Sequence, residues 1–416
     1  MPACDVIIIG AGPAGLTAAA TAAAAGLKVT VLEKKAGVAQ LRRTCAQAFF
    51  TPGCGLGDRY YQEPTVLEPG PSTHRLHFAS LGFSLEYRGL LVPCGQFTYV
   101  SPCGSRVNRY GPGAPPWCHA FSKASLVEQL LEKALGAGAD VIPGAAGVAA
   151  RETPAGVAVT VREAGRDRTI EARRAIVADG LNSRVVESLG LNGTRRILPA
   201  AMKGVAYILD GVDQPAQPGD TAFMFAIPSL TRGTIMLGTH PDRDRVLKSL
   251  IVAGGPEPAI RAFMGLPRYA TWFARSRLVS KTAFNGIGRT PLREAACGRV
   301  IVAGDAAATY ETLVAGAIAC GCQAGRATAR ELAGQPGNAE YNAWWLRAFK
   351  FHDPQYFSKG SRGLPLGMLC SDEEMDYVYG LLDGRTGDPA FLAMEYMDVI
   401  RRDRPALHAR LLAAMM

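Results

Sequence analysis

Residues 6–9 form an uninterrupted apolar, β-branched run, Val-Ile-Ile-Ile, closed at once by Gly10-Ala11-Gly12-Pro13-Ala14-Gly15. Such a run, bounded by a charge and a glycine cluster, predicts a buried strand. Residues 16–25 are small helix formers, and residues 28–32 return to an apolar strand ending at Glu33. The pattern predicts a β-α-β unit over 5–34. Further along, Leu126, Leu130 and Ala134 recur at helical spacing behind Ser122, predicting a capped helix over 122–137, followed by a strand near 140–142. Residues 156–162 and 168–172 alternate around a charged turn and predict a hairpin. Two later apolar runs each stop at an acid beside a glycine: 175–178 at Asp179-Gly180, and 300–303 at Gly304-Asp305-Ala306-Ala307. A small-residue helix to Leu332 follows the second.

The segments between these elements have a different texture. Residues 50–116 are rich in Gly, Pro, Cys and aromatics, with alternating pieces at 84–88 and 97–101. Residues 200–284 alternate again, for example at 222–228 and 233–238. This predicts one α/β domain assembled from 1–60, 120–200 and 285–334. An antiparallel lobe is entered twice, at 61–119 and 201–284, and a mostly helical region fills 335–416.

The first glycine cluster has the spacing GxGxxG. In that pattern Gly10 makes the tight turn, Gly12 lets the backbone approach a pyrophosphate, and Gly15 lets the helix pack close to the strand. Glu33, about 20 residues beyond, stands where a carboxylate takes the hydroxyls of an adenosine ribose. An acid at this point argues against a 2′-phosphate and leaves NAD or FAD.

Composition narrows the class. The 416 residues are 48% hydrophobic, enough for a large core in two or three domains. The net charge of +9 admits acidic partners, but the basic residues are scattered and no aromatic-interleaved stripe marks a nucleic-acid groove. Residues 6–27 carry no charge, yet their glycines and Pro13 fit the β-α-β unit rather than a membrane span. No basic segment precedes them, so no signal peptide is expected. The ten Cys lack a paired CxxC, which suits reduced thiols in a cytoplasmic protein. Cys320 and Cys322 are expected in a tightly packed helix, and no metal site is expected.

The ordered trio of GxGxxG, Asp179-Gly180 and Gly304-Asp305-Ala306-Ala307 resembles the signature of the p-hydroxybenzoate-hydroxylase-like flavoproteins. Within them the chain is most similar to the geranylgeranyl reductase family. The resemblance covers roughly half the chain. Arg43-Thr44-Cys45 stands where those reductases carry an Arg-Cys-Gly element, with Ala46 in place of the glycine. Residues 223–228, Phe-Met-Phe-Ala-Ile-Pro, occupy the place of their aromatic-x-aromatic strand. Thr312 replaces their proline, Ala315-Gly316-Ala317 their Gly-x-Gly, and Val186 an arginine after Asp-Gly.

The resemblance implies an α/β fold: a Rossmann-type FAD-binding domain interrupted by an antiparallel β substrate lobe, with a helical C-terminal region. It implies FAD contacts at Gly10, Gly12, Ala14, Gly15, Glu33, Lys34, Arg43, Asp179, Gly180, Gly304, Asp305, Gly316 and Ala317. It also implies a substrate cavity walled by Phe223 and Phe225. The implied activity is reduction of carbon–carbon double bonds in an isoprenoid or other small apolar substrate, with reduced flavin as hydride donor. NADPH, NADH or a ferredoxin-like donor protein would supply the electrons. The alternatives are a flavin monooxygenase, a halogenase on the same scaffold, and a non-catalytic flavoprotein. Cys45 reads equally as a thiol at the flavin, acting as proton donor, and as a small packed side chain. His119, His240 and His352 lack a partner at motif spacing and read as structural. Leu407, Leu411 and Leu412 with Met415 and Met416 could share one face of a terminal helix beside Arg401, Arg402, Arg404 and Arg410. That face would serve either as a peripheral membrane contact or as packing on the chain's own domain.

Overall fold

The computed structural model describes residues 3–41, 45, 47–51, 65–68, 70, 73–198, 202–215, 220–308, 312–353 and 363–415. β1 (Cys4–Ile9), α1 (Pro13–Ala24) and β2 (Val29–Glu33) form the first β-α-β unit. β1 runs parallel to β2 on one side and to the strand Arg166–Val177 on the other, beyond which Val300–Val302 adds in parallel. Asp140–Pro143 pairs with the far side of β2. The registers Ile9↔Leu32, Ile9↔Val177 and Val177↔Val302 end four strands at one level. Val6, Ile7, Ile8 and Ile9 are buried on both faces, as an uninterrupted apolar run requires.

The hairpin arm at 168–172 and the run at 175–178 are one strand, Arg166–Val177. Its first half pairs antiparallel with Gly156–Glu163 and its second half enters the parallel sheet. Arg173 and Arg174 look like a break in sequence. Arg174, however, is held at 2.7–3.2 Å by Glu331, Asn338 and the Gly298 carbonyl, so the extended chain continues through it.

α1 lies along the helix Leu313–Leu332 with almost no side chain between them. A Cβ on Gly321 would sit 2.1 Å from the Ala14 carbonyl oxygen, and one on Gly325 2.8 Å from that of Ala18. Contacts that advance by four residues on both helices make the pair parallel. Both helices therefore start at the end of the sheet where β1 stops. Cys320 and Cys322 are buried in this packing, and burial pushes the Cys320 thiol up to about 12.

The second sheet has the strand order Arg277–Gly286, Met202–Asp210, Arg245–Ala253, Thr234–Asp242, Asp220–Phe225, Leu91–Val100, Cys118–Phe121, Ala48–Phe50. One face carries Tyr207, Leu209, Phe223, Phe225, Leu237 and Leu250 into a core with Phe263, Tyr269 and Trp272 of the connection that follows Ala253. The strands Thr73–Phe78 and Phe83–Arg88 do not join this sheet, although the alternation at 84–88 suggested the antiparallel lobe. They form a separate small sheet whose Leu76, Phe78, Leu85 and Tyr87 enter the core of the nucleotide-binding sheet. The Ser122-capped helix Lys123–Gly136 packs against Phe83–Arg88, with Gln129 accepting from the Arg88 backbone N–H at 3.2 Å.

At the C-terminus, Leu407 and Leu411 of the helix Pro405–Met415 are buried with Leu366, Tyr379 and Ile400. Of the face considered for membrane contact, Leu407 and Leu411 are thus used in the chain's own core and Leu412 is exposed, while Met416 lies outside the described residues. Among the described residues, no helix is long and apolar enough to cross a membrane.

Candidate active site

Four strand ends at one level bring Gly10, Glu33, Asp179 and Gly304 side by side, at the carboxyl edge where open α/β sheets take their ligands. Gly10 has φ 102°, and a Cβ there would lie 2.4 Å from the Ala178 carbonyl oxygen. At Gly15 the added atom would lie 1.8 Å from the Gly10 carbonyl oxygen, and at Gly304, φ 65°, 3.1 Å from Cβ of Ala14 and 3.7 Å from that of Ala317. Backbone contact at these positions knits the three motifs together. Gly12 differs, because nothing lies within 4 Å of where its Cβ would be. α1 begins at this opening without a side-chain cap, so its free N–H groups and positive dipole end are directed there.

The acids around the opening are held differently. Glu33 is buried and accepts from the Ala11 and Lys35 backbone N–H groups, each at 2.9 Å. Asp305 accepts from the Thr312 hydroxyl at 2.8 Å. The threonine found where the resemblance expects proline therefore ties the start of the second helix to the acid, and Leu313 beside it turns the chain at φ 47°. Asp179 has one oxygen, Oδ1, that is buried without a partner. Burial pushes its carboxyl up to about 6, against the opposing pull of Ser183 and Lys34. A carboxylate oxygen in that state is costly in the protein alone and is relieved by a ligand hydroxyl or N–H.

A cavity of about 260 Å³ lies between the connection after β2 and the second sheet. Cys45, Leu41 and Gln47 line it from the connection. Ala206, Ile208, His240, Ser249, Ile251 and Ser280 line it from the sheet. Gln47 is buried in a left-handed conformation, φ 51°. Its Oε1 accepts from the backbone N–H of Lys123 at 2.6 Å, which directs its amide nitrogen to His240, 2.8 Å from Nδ1 and 3.2 Å from Nε2. Burial pushes the His240 imidazole down to about 4.

An open glycine turn, an uncapped helix start and an unpartnered acid fit the diphosphate and hydroxyls of a dinucleotide. The profile of the family described as FAD binding domain matches residues 3–253. The chain belongs to this FAD-binding family. It is an FAD-dependent oxidoreductase. It is 27% identical over 329 residues to digeranylgeranylglycerophospholipid reductase of Methanoculleus marisnigri, covering 78% of this chain and 75% of that one. Among solved structures it is similar to a geranylgeranyl bacteriochlorophyll reductase-like protein of Thermoplasma acidophilum, with TM-score 0.68, 16% identity and 99% of each chain covered. It is also similar to CmlS, a flavin-dependent halogenase, with TM-score 0.61, 16% identity, and 99% of this chain and 78% of that one covered.

The structure brings together most of the residues singled out for FAD. Gly10, Gly12, Ala14, Gly15, Glu33, Asp179, Gly180, Gly304, Asp305 and Ala317 gather at the strand ends, and Lys34 follows Glu33 there. Gly316 is buried in the first turn of the helix Leu313–Leu332. Arg43 lies outside the described residues. Cys45 is a cavity residue. Phe223 and Phe225 are not: the row Phe223, Leu237, Leu250, Tyr207 faces the aromatic core, and the row Met236, Ile251, Ala206 faces the cavity side. Period-two alternation puts Ala222 and Met224 on the same side of the sheet as the cavity, where they pack in the core of the C-terminal helices. His240 and Gln47 were not singled out as site residues. The signal for His240 was its period-two spacing from Met236 and Gly238; Gln47 had only its place two residues beyond Cys45.

Proposed function

We propose that this FAD-dependent oxidoreductase reduces a carbon–carbon double bond of a largely apolar substrate bound in the cavity beside Cys45. The observation that carries the reading is the Cys45 thiol in the wall of that cavity, at the junction of the nucleotide-binding domain and the second sheet. FAD, when reduced and bound, supplies the hydride. Gly12 and the start of α1 would hold its diphosphate, Asp179 and Glu33 its hydroxyls, and Asp305 the segment leading to the ring. Leu41, Ala206, Ile208 and Ile251 exclude water from the reacting carbons, and the Cys45 thiol holds the proton that the second carbon needs. The reductase relatives support an isoprenoid chain as the substrate; the electron donor would be NADPH, NADH or a ferredoxin-like protein.

The test is anaerobic. Photoreduced protein is mixed with a polyprenyl alkene, and flavin reoxidation is followed in wild type, Cys45→Ser and Cys45→Ala. The expected result is at least a hundredfold slower reoxidation in Cys45→Ala, partial rate in Cys45→Ser, and unchanged FAD content. Equal rates in all three proteins would remove Cys45 from the reaction.

A further inference from the structure

The wall of the cavity is not what a plain hydrocarbon needs. Ile208 sits between Ser249 on one neighbouring strand and Ser280 on the other, in one cross-strand row, and both serines line the cavity. His240 lies on the same side of the sheet, on the next strand. A bare polyprenyl tail pressed against this patch would leave hydroxyls and a ring N–H facing hydrocarbon. The imidazole is also held in place from outside the sheet. Gln47 reaches it from the connection after β2, and the amide cannot turn over without losing the backbone N–H of Lys123 that its oxygen accepts. The amide nitrogen is a donor, so the nearer ring nitrogen, Nδ1, accepts and the proton of the neutral ring resides on Nε2. Asp242 lines the cavity as well and favours the charged ring, but burial outweighs it and keeps the imidazole neutral.

We propose that His240 donates its ring N–H to a substrate oxygen conjugated with the double bond, so that the molecule reduced here is an α,β-unsaturated carbonyl compound with an apolar remainder. The inference rests on the reading that the cavity takes the substrate. The hydrogen bond draws electron density toward that oxygen and eases addition of hydride to the far alkene carbon and of a proton to the near one. The carbon–carbon double bond is reduced, the reduced flavin is oxidised, and the carbonyl is unchanged in the product. Ser249 and Ser280 would orient the same polar end, and Ile208 and Ile251 the apolar remainder. His240 is then the residue that separates conjugated enones from unactivated alkenes.

Two measurements that need no turnover test this. The first is calorimetric binding of β-ionone, and of its hydrocarbon counterpart with CH₂ in place of the carbonyl, to the oxidised FAD-loaded protein. Wild type is expected to prefer the enone about tenfold, the scale of one buried hydrogen bond. His240→Phe should lose the preference, and His240→Asn, which keeps a donor, should restore part of it, all at full FAD content. Equal affinity of wild type for the two probes, binding of neither, or a preference that survives in His240→Phe overturns the proposal. The second is the ¹⁵N spectrum of histidine-labelled protein, with the His240 signals identified by their loss in His240→Phe. The expected result is an Nε2-protonated neutral ring at pH 7 that becomes a tautomer mixture in Gln47→Leu. A ring protonated on Nδ1, or one insensitive to Gln47→Leu, overturns it. If both results hold and neither a polyprenyl alkene nor β-ionone reoxidises the photoreduced flavin, the donor role of His240 stands and the reduction reading falls.

Discussion

The strand-end cradle and the cavity are built by opposite means. In the cradle the shape is set by backbone pressed on backbone, at Gly10, Gly15 and Gly321, where a single added carbon meets a carbonyl oxygen at 1.8–2.4 Å. In the cavity the backbone is an ordinary sheet, and the chemistry is set by which alternate side chains face inward. The first kind of site tolerates almost no change and holds a group shared by many proteins. The second can exchange one side chain for another without disturbing the fold, which is where enzymes on a common scaffold come to differ.

The sharpest way to break this contrast is within the glycines themselves. Gly15→Val drives a branched side chain into the Gly10 carbonyl and should abolish soluble, folded protein. A Cβ at residue 12 meets nothing within 4 Å, so the stability of Gly12→Val apoprotein should stay within about 0.5 kcal/mol of wild type while FAD no longer copurifies. Thermal melts and flavin absorbance of the two variants read this directly. Similar behaviour of both would mean that Gly12 is structural as well.

On the second sheet, the two faces should separate stability from specificity. Phe225→Ala empties the aromatic core among Phe263, Tyr269 and Trp272 and should cost about 3–5 kcal/mol in denaturant unfolding, with enone affinity unchanged. Ser249→Val on the cavity side should change stability by less than about 1 kcal/mol and enone affinity several-fold. The opposite assignment of effects would exchange the two faces.

A smaller effect than the loss of Phe225 lies in the cradle, in an acid whose unpartnered oxygen awaits a ligand. The Asp179 carboxyl is raised to about 6 in the fold, so the folded apoprotein binds its proton more readily than the unfolded chain. Apoprotein stability should therefore fall as pH rises from about 4 to about 6 and level off above that. Asp179→Asn should remove this slope and leave the apoprotein about 1–3 kcal/mol more stable at pH 7, while its FAD content falls. Melts across pH 4–8 check the sign, and a variant less stable than wild type at pH 7 would contradict it.

Much of the nucleotide-binding side was legible in the chain alone, because its requirements are local. An apolar run buried on both faces, a glycine where φ is positive, and an acid at a strand end each leave a mark within a few residues of where they act. Gly10, Gly12, Gly15, Glu33, Asp179 and Gly304 carry such marks. Ser122, which caps its helix by accepting from the Ser125 N–H, carries one too. The strand Phe83–Arg88 was legible from the alternation at 84–88, but the partner that buries it was not, since one apolar face fits either core.

The cavity was decided by tertiary structure. Alternation in Asp220–Phe225 and Thr234–Asp242 shows that each strand has two faces, but the pattern is the same whichever face meets the packing that follows Ala253. The helix Pro258–Met264 and the residues after it took the Phe223 and Phe225 side; on the other side the C-terminal helices cover Ala222, Met224 and Met236, and the cavity takes Ala206, Ile251 and His240. The contact between Gln47 and His240 joins residues 193 positions apart, with a backbone N–H of the Lys123 helix as the third member. Sequence spacing carries no information about a meeting of that kind. The residues by themselves determined that the chain would fold around a dinucleotide, because backbone geometry is written locally. Only the packing of sheet against connection decided which side chains would meet a substrate, because contacts between distant segments depend on every element that lies between them.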